Sequence, residues 1–370
     1  MIESLYLENF KCFREQSFRF APLTLLSGVN GMGKSSVIQS LLALRQSYDQ
    51  GLLPNQALAF NGDLVQLGNA ADVYHEGAES THVEIRVGLS GSVNTIWRFA
   101  YDRENNSLDL ISPPANQSTL STALFNDDCQ YLKAERLGPR MSFEISDFRV
   151  RQHRRLGTQG ELTAHFLSVY GETPIPISQL AHESAISESL RDQTEAWINE
   201  VSPGVRINVS ELARSQGVDI VTLRYSFVRG RQVSNQYRST NVGFGVTYTL
   251  PIFVAILSAK PGSLILIENP EAHLHPRGQA KLGELFGLAA RQGVQLIIET
   301  HSDHILNGVR VAVREKKLEA KDLAIFFFER RLDDRFEPSI LDLKVDKEGR
   351  IDRWPEGFFD EWDRSLERLL

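Results

Sequence analysis

Gly28-Val29-Asn30-Gly31-Met32-Gly33-Lys34-Ser35-Ser36 fits G-x-x-x-x-G-K-[ST] without a gap. Upstream, Leu23-Thr24-Leu25-Leu26 is a short apolar run of the kind that forms a buried strand. Downstream, Ile38, Leu41, Leu42 and Arg45 recur at helical spacing. A glycine-rich turn between a strand and a helix is a phosphate-binding loop. Gly28, Gly31 and Gly33 let the backbone turn tightly, so that main-chain N–H groups at the helix start face an anion. In this pattern Asn30, Gly31, Gly33 and Ser36 line the loop, Lys34 reaches the β- and γ-phosphate oxygens, and Ser35 offers its hydroxyl to a metal. The ligand expected from it is a chain of phosphates with Mg2+, and what kind of P-loop protein this is must come from the rest of the sequence.

With 370 residues, the chain exceeds the usual size of one domain, and its 42% hydrophobic content is enough for a substantial core. A net charge of −7 argues against a wholesale polyanion binder and leaves room for a local basic face. Cys12 and Cys129 are far apart and in no metal-ligand spacing, so neither a disulfide framework nor a zinc site is indicated. The N-terminal residues form no apolar leader, and no run of 18 uncharged apolar residues follows. The expectation is a cytoplasmic protein with no membrane contact.

Residues 2–10 and 13–20 are expected as an edge hairpin leading to the loop strand, 51–61 as a loop, and Gly62–Gly68 as a short strand. Gln66 lies in the last of these and is a candidate for touching the metal or the attacking water, with a plain strand glutamine as the alternative. Alternation broken by turn residues describes an antiparallel meander over 83–111. A strand at 129–134 is followed by Arg136, Arg140, Arg149, Arg151, Arg154 and Arg155. This stretch is a solvated or salt-bridged face, or else a contact for a nucleic-acid backbone or a partner. A helix around Leu190 and Trp197 and strands at 205–209 and 220–228 come next. Then Gly243 and Gly245 precede a buried helix at 250–257. The apolar strand Leu264-Ile265-Leu266-Ile267 runs into Glu268-Asn269-Pro270-Glu271-Ala272-His273-Leu274-His275-Pro276. An amphipathic helix closed by Gly293 and a strand ending in Glu299-Thr300-His301-Ser302 complete a βαβ unit. Ala324 to Phe328 is a last apolar strand, and the charged tail closes on Trp354-Pro355-Glu356-Gly357-Phe358-Phe359.

Together these segments resemble the nucleotide-binding head of ABC-type ATPases, and most of all the SMC-like and overcoming-lysogenization-defect group. Asn9-Phe10-Lys11 matches that group's N-terminal element. Glu268 to Pro276 matches its DEPE-x-HLHP pattern with Asn269 in the place of the catalytic glutamate. The tail resembles that of bacterial phage-defence-associated ATPases. The resemblance implies an α/β P-loop NTPase of ABC-head type, with a mixed central sheet, an antiparallel β subdomain and an inserted lobe. Its implied segments are 1–100 and 236–330 for the head, 101–235 for the lobe and 331–370 for a tail domain.

It also implies a homodimer closed around ATP, with Gly243 and Gly245 capping the nucleotide of the second subunit and an effector such as a nuclease as partner. Glu268 would hold Mg2+, with Ser35 and Gln66. His301 would contact the γ-phosphate; a capping or core histidine is the alternative. An amide at 269 cannot take a proton, which puts a factor of roughly 10²–10⁴ in rate at stake. Glu271 could replace it if the backbone stays extended, since residues two apart then share a face. A nucleotide-gated scaffold with little hydrolysis is the competing reading.

Overall fold

A computed structural model describes residues 1–91, 93–212, 220–330, 337–359 and 361–369. Residues 331–336, 360 and 370 of the expected tail lie outside them. Contacts divide the chain into two units, Met1–Cys129 with Ala320–Leu370, and Gln130–Glu319. The stretch expected as an inserted lobe is shared between them.

In the first unit Ile2–Phe10 and Phe13–Arg19 form the expected hairpin, turning at Lys11 with a left-handed φ of 52°. Next to Ile2–Phe10 stand His82–Leu89 and then Thr95–Ala100, all antiparallel. Alternation explains the pairing. Leu5, Leu7, Val83, Ile85, Val87, Trp97 and Phe99 are buried, while the polar partners follow at the intervening positions. One of these, Glu84, is buried as well, and its carboxylate accepts from Arg86 and Arg98.

The regular ladder of the meander stops at two strands, and its third segment joins Thr95–Ala100 only through an antiparallel bridge from Phe99 to Leu110. Ser107–Asp109 pairs with Ala57–Ala59, inside the stretch expected as loop, because Leu58 and Leu108 stand opposite one another and both are fully buried. Gly62–Gly68 is no strand either. It is a tight loop closed by a bridge between Asn61 and Gln66, and Gln46 Oε1 accepts the N–H groups of Leu64 and Val65 within it. The phosphate-loop strand Leu23–Gly28 runs parallel to Leu323–Arg330, which pairs antiparallel with Pro338–Leu343, giving a mixed sheet. In the tail, Phe358 is buried with its ring 5.0 Å from that of Phe327.

In the second unit Leu264–Glu268 and Gln295–Glu299 are parallel and in register from Leu264 opposite Gln295 to Glu268 opposite Glu299. The helix Pro276–Arg291 connects them, so the βαβ unit stands as read. Cys129–Leu132 lies beside Leu264–Glu268. A separate antiparallel sheet is built on Val205–Leu212 and Ile220–Arg229, with the short strands Phe143–Glu144, Gln232–Val233 and Tyr237–Arg238. The apolar helix starts at Phe244, earlier than expected, and runs to Leu257. Its residues from Val246 on are all buried, and Gly243 is its N-cap.

Candidate nucleotide site

The phosphate loop belongs to the first unit. Gly28 has φ 131°, and a Cβ there would fall 2.1 Å from the Phe328 carbonyl oxygen, so only glycine lets the strand end this close to its neighbour. The Val29 N–H donates to that same carbonyl at 2.9 Å. Gly33, with φ 94°, is the N-cap of the helix Lys34–Asp49, and a Cβ on it would meet Cys12 Sγ at 2.3 Å. The loop is therefore shaped by close approach on both sides.

Lys34 is only 3% exposed, and its ammonium donates to the carbonyls of Gly28 at 3.0 Å and Val29 at 2.8 Å. A buried ammonium needs oxygen partners. A cation held by two loop carbonyls at a helix start fits an anionic ligand whose oxygens can take the same three N–H donors. Asn30 and Gly31 are exposed, Ser35 is half-buried and Ser36 is buried. Gln66 is exposed on its own loop.

The acidic end of Leu264–Glu268 belongs to the second unit. Glu268 accepts Tyr131 O–H on Oε1 at 3.0 Å and the Ala134 N–H on Oε2 at 3.1 Å. Burial pushes its pKa up, while these two donors and Arg136 oppose the shift. Arg136 is 4% exposed. Its guanidinium donates to the carbonyls of Glu268 at 2.7 Å, Asn269 at 2.6 Å, Lys133 at 3.0 Å and Tyr248 at 3.2 Å, and lies over the Tyr248 ring. Desolvation lowers its pKa to about 10, and the charge persists at neutral pH.

Asn269 takes a left-handed φ of 45°, which asparagine tolerates better than most residues. Its N–H donates to the Glu299 carbonyl at 2.8 Å, and its side-chain Oδ1 is buried without a hydrogen-bond partner. The chain then turns, the Leu274 N–H donating to the Glu271 carbonyl at 3.0 Å. So the extended backbone on which Glu271 was expected to share a face with Asn269 does not exist here. Instead the Glu271 carboxylate accepts Thr300 Oγ1–H at 2.8 Å and the His301 N–H at 2.7 Å, tying this turn to the end of the neighbouring strand. The His301 side chain is exposed.

Gly243 and Gly245 differ. A Cβ on Gly245 would meet the His273 carbonyl oxygen at 2.5 Å, so this glycine is required by packing inside the unit, whereas Gly243 is exposed and faces open space. His273 packs between Phe244 and Tyr248, with ring centroids at 4.6 and 4.8 Å. His275 is a helix N-cap, its Nδ1 accepting the Arg277 N–H at 3.3 Å. Neither histidine is arranged as a metal ligand.

Tyr131, Tyr248, Thr300 and the role of Arg136 were not seen in the sequence. The signal in the sequence was the Ala134-Glu135-Arg136 stretch at the end of the strand expected at 129–134.

Residues 23–307 match the family model described as AAA domain, putative AbiEii toxin, Type IV TA system. The chain belongs to that family. Residues 318–369 match a second family, described only as a protein of unknown function (DUF3696), which assigns the tail no activity. Among curated proteins, the DNA double-strand break repair Rad50 ATPase of Methanosarcina mazei is 28% identical over 110 residues, 29% of this chain and 9% of that protein. The fold is that of SMC heads. The SMC head bound to the C-winged helix domain of ScpA superposes with a TM-score of 0.53 at 14% identity, covering 93% of this chain and 98% of that one. The head with coiled coil and joint from Pyrococcus yayanosii gives 0.51 at 10%, covering 99% of each. The chain thus combines an AAA domain with the fold of SMC heads, and it spans less than a tenth of the length of the curated relative it matches. Among the described residues no helix is long and apolar enough to cross a membrane.

Ionised Glu268 weakens this end of the fold. Its folded pKa lies above the unfolded one, so the folded state binds more protons between the two values and gains stability as pH falls through that window. Glu268→Gln keeps both partners, its Oε1 accepting from Ala134 and its amide donating to the Tyr131 oxygen. We expect this variant to have a higher thermal midpoint than the parent at pH 7, with the difference shrinking toward pH 5, in scanning calorimetry at both pH values.

Proposed function

We propose that the chain binds ATP with Mg2+, closes as a homodimer around it and hydrolyses it slowly. In this reading it serves as the regulatory ATPase of a bacterial defence or DNA-transaction system, acting on an effector such as a nuclease. The observation that carries the reading is the buried Lys34 ammonium within a glycine-shaped loop at a helix start. The defence setting rests on the resemblance of the tail to phage-defence-associated ATPases, beside a family description that names a putative toxin of a Type IV TA system.

We assign Ser35 and Gln66 of the first unit and Glu268 of the second as oxygen donors for Mg2+, which when bound would neutralise phosphate charge. Asn269 is assigned to the water. Its buried, unpartnered Oδ1 is an acceptor that can orient an O–H but cannot remove the proton. Arg136 fixes the main chain on either side of that amide. Glu271 acts by holding Thr300 and the His301 main chain, which sets where the His301 ring points. The scaffold reading has support in the same place, since no carboxylate stands at 269 and both Glu271 oxygens are engaged. Steady-state turnover measured beside ATP-dependent mass separates the two.

Lys34→Ala should abolish ATP binding in calorimetry, and an unchanged affinity would remove the loop from the reading. Glu271→Gln should lower turnover about tenfold with ATP binding intact. If Glu271 works as a tie rather than as a base, Thr300→Val lowers turnover as well, whereas full activity in Thr300→Val points to a base. Gly243→Asp meets open space in the monomer, so it should leave ATP binding unchanged while blocking ATP-driven dimerisation in light scattering. A normal dimer in that variant would exclude this helix start from the interface.

A further inference from the structure

The basic stretch read from the sequence is largely occupied within the second unit: Arg136 is buried, Arg149 pairs with Glu161 and Arg151 with Asp147 at 2.8 Å each, and Arg154 lies over the Tyr170 ring. A side chain in the same unit that the nucleotide site leaves unassigned is Gln279, one turn into the helix Pro276–Arg291 and half-buried. It reaches two other segments at once. Its Nε2 donates to the Leu274 carbonyl at 2.9 Å, in the turn that follows Asn269. Its Oε1 accepts the hydroxyl of Ser302, the residue after His301, at 2.5 Å. A main-chain carbonyl only accepts, so the amide nitrogen has to face Leu274 and the amide oxygen Ser302. The Ser302 oxygen already accepts the Ile305 N–H at 3.0 Å, as N-cap of the helix Asp303–Arg314, and its proton goes to Gln279.

The neighbouring bonds close a circuit. The Ser302 N–H donates to Thr300 Oγ1 at 3.1 Å, the Thr300 hydroxyl donates to the Glu271 carboxylate at 2.8 Å, and the Leu274 N–H donates to the Glu271 carbonyl at 3.0 Å. With the two bonds of Gln279, five hydrogen bonds join residues 271, 274, 279, 302 and 300 without a break. Thr300, Ser302 and Leu274 are all buried, so a partner lost from the circuit is not simply replaced by bulk water. The His301 N–H hangs from the same Glu271 carboxylate, at 2.7 Å, and its ring is exposed.

We propose that Gln279 is a positioning residue for His301: by closing this circuit it makes the turn after Asn269 and the segment from Thr300 to Ser302 move as one piece. One planar group that both donates and accepts is needed for this. A glutamate at 279 lacks the donor, and a methionine lacks both. Bonds in such a network support one another, so that opening it at one point loosens the others. His273 and His275, on either side of Leu274, are exposed, and a contact made on that turn is delivered through Gln279 and Glu271 to His301. The consequence for hydrolysis rests on the nucleotide reading given above, whereas the coupling of the two segments does not.

The test has one arm for each. In the full chain without nucleotide, hydrogen exchange resolved to single amides should show His301 and Leu274 exchanging at least about tenfold faster in Gln279→Met, with Leu285 in the same helix unchanged. Gln279→Glu keeps the acceptor for Ser302 and sets an oxygen against the Leu274 carbonyl, so it should give the same pattern by a milder change. Parent-like exchange at His301 in both variants would overturn the proposal, whatever the chain does with ATP. In the second arm, with MgATP, Gln279→Met should lower kcat at least about fivefold and leave KM within about twofold. Adding Thr300→Val to it should lower kcat little further, because the circuit is already open. Effects of the two substitutions that multiply would overturn the single circuit. A parent chain that binds no ATP, together with faster exchange at His301 in the variants, would remove the nucleotide reading and leave the coupling established.

Discussion

Arg136 donates to four main-chain carbonyls, two of them on Glu268 and Asn269, where the central strand of the second unit ends and turns. A strand that stops in a turn leaves carbonyls without ladder partners, and each left unmade in the interior costs about 1–3 kcal/mol. A guanidinium has five donors in a fixed fork and can meet four such carbonyls at once, where a lysine ammonium has three donors. Everything chemical at this end is hung from that arrangement. It holds the Glu268 carboxylate between Tyr131 and Ala134, and it fixes Asn269 in a left-handed conformation. It also lets the turn that follows bring Glu271 against Thr300 and His301.

The first unit uses a buried cation differently. Lys34 sits on two carbonyls of its own loop, a compact ammonium on a flexible stem that can exchange those partners for a ligand's oxygens. Arg136 is stacked on Tyr248 and bonded along its whole fork, and has no such freedom. One cation is placed to meet a ligand and the other to hold the main chain, although both are nearly inaccessible.

What the sequence made legible was what depends on neighbours along the chain. The phosphate loop, its strand and helix, and the βαβ unit after residue 263 all follow from glycines, apolar runs and caps within a few residues of one another. Glu271 was misplaced because its reading assumed an extended chain, and a left-handed residue at Asn269 turns it away. Arg136 was counted as a surface charge because nothing local shows that the ends of two strands close over it. Gly245 was read as a ligand contact, yet the constraint on it comes from the His273 carbonyl, 28 residues on. The strand at Ala57–Ala59 was missed for the same reason, its partner lying some 50 residues away.

The two parallel strands divide labour along their length. Leu264 to Ile267 and Leu296 to Ile298 are buried and apolar throughout. The unfavourable features gather at their C-terminal ends, where Glu268 is partly desolvated, Asn269 has a strained φ, and its Oδ1 is left without a partner. Left-handed non-glycine residues and unpaired buried acceptors each cost of the order of 1–3 kcal/mol and persist only where the surroundings hold them. In an open α/β sheet this is also the end at which ligands bind. The apolar bodies of the strands supply the stability that keeps a strained, partly unsatisfied end in one conformation. Truncations in the bodies therefore act on folding, whereas substitutions at the ends act on chemistry and can even relieve the fold.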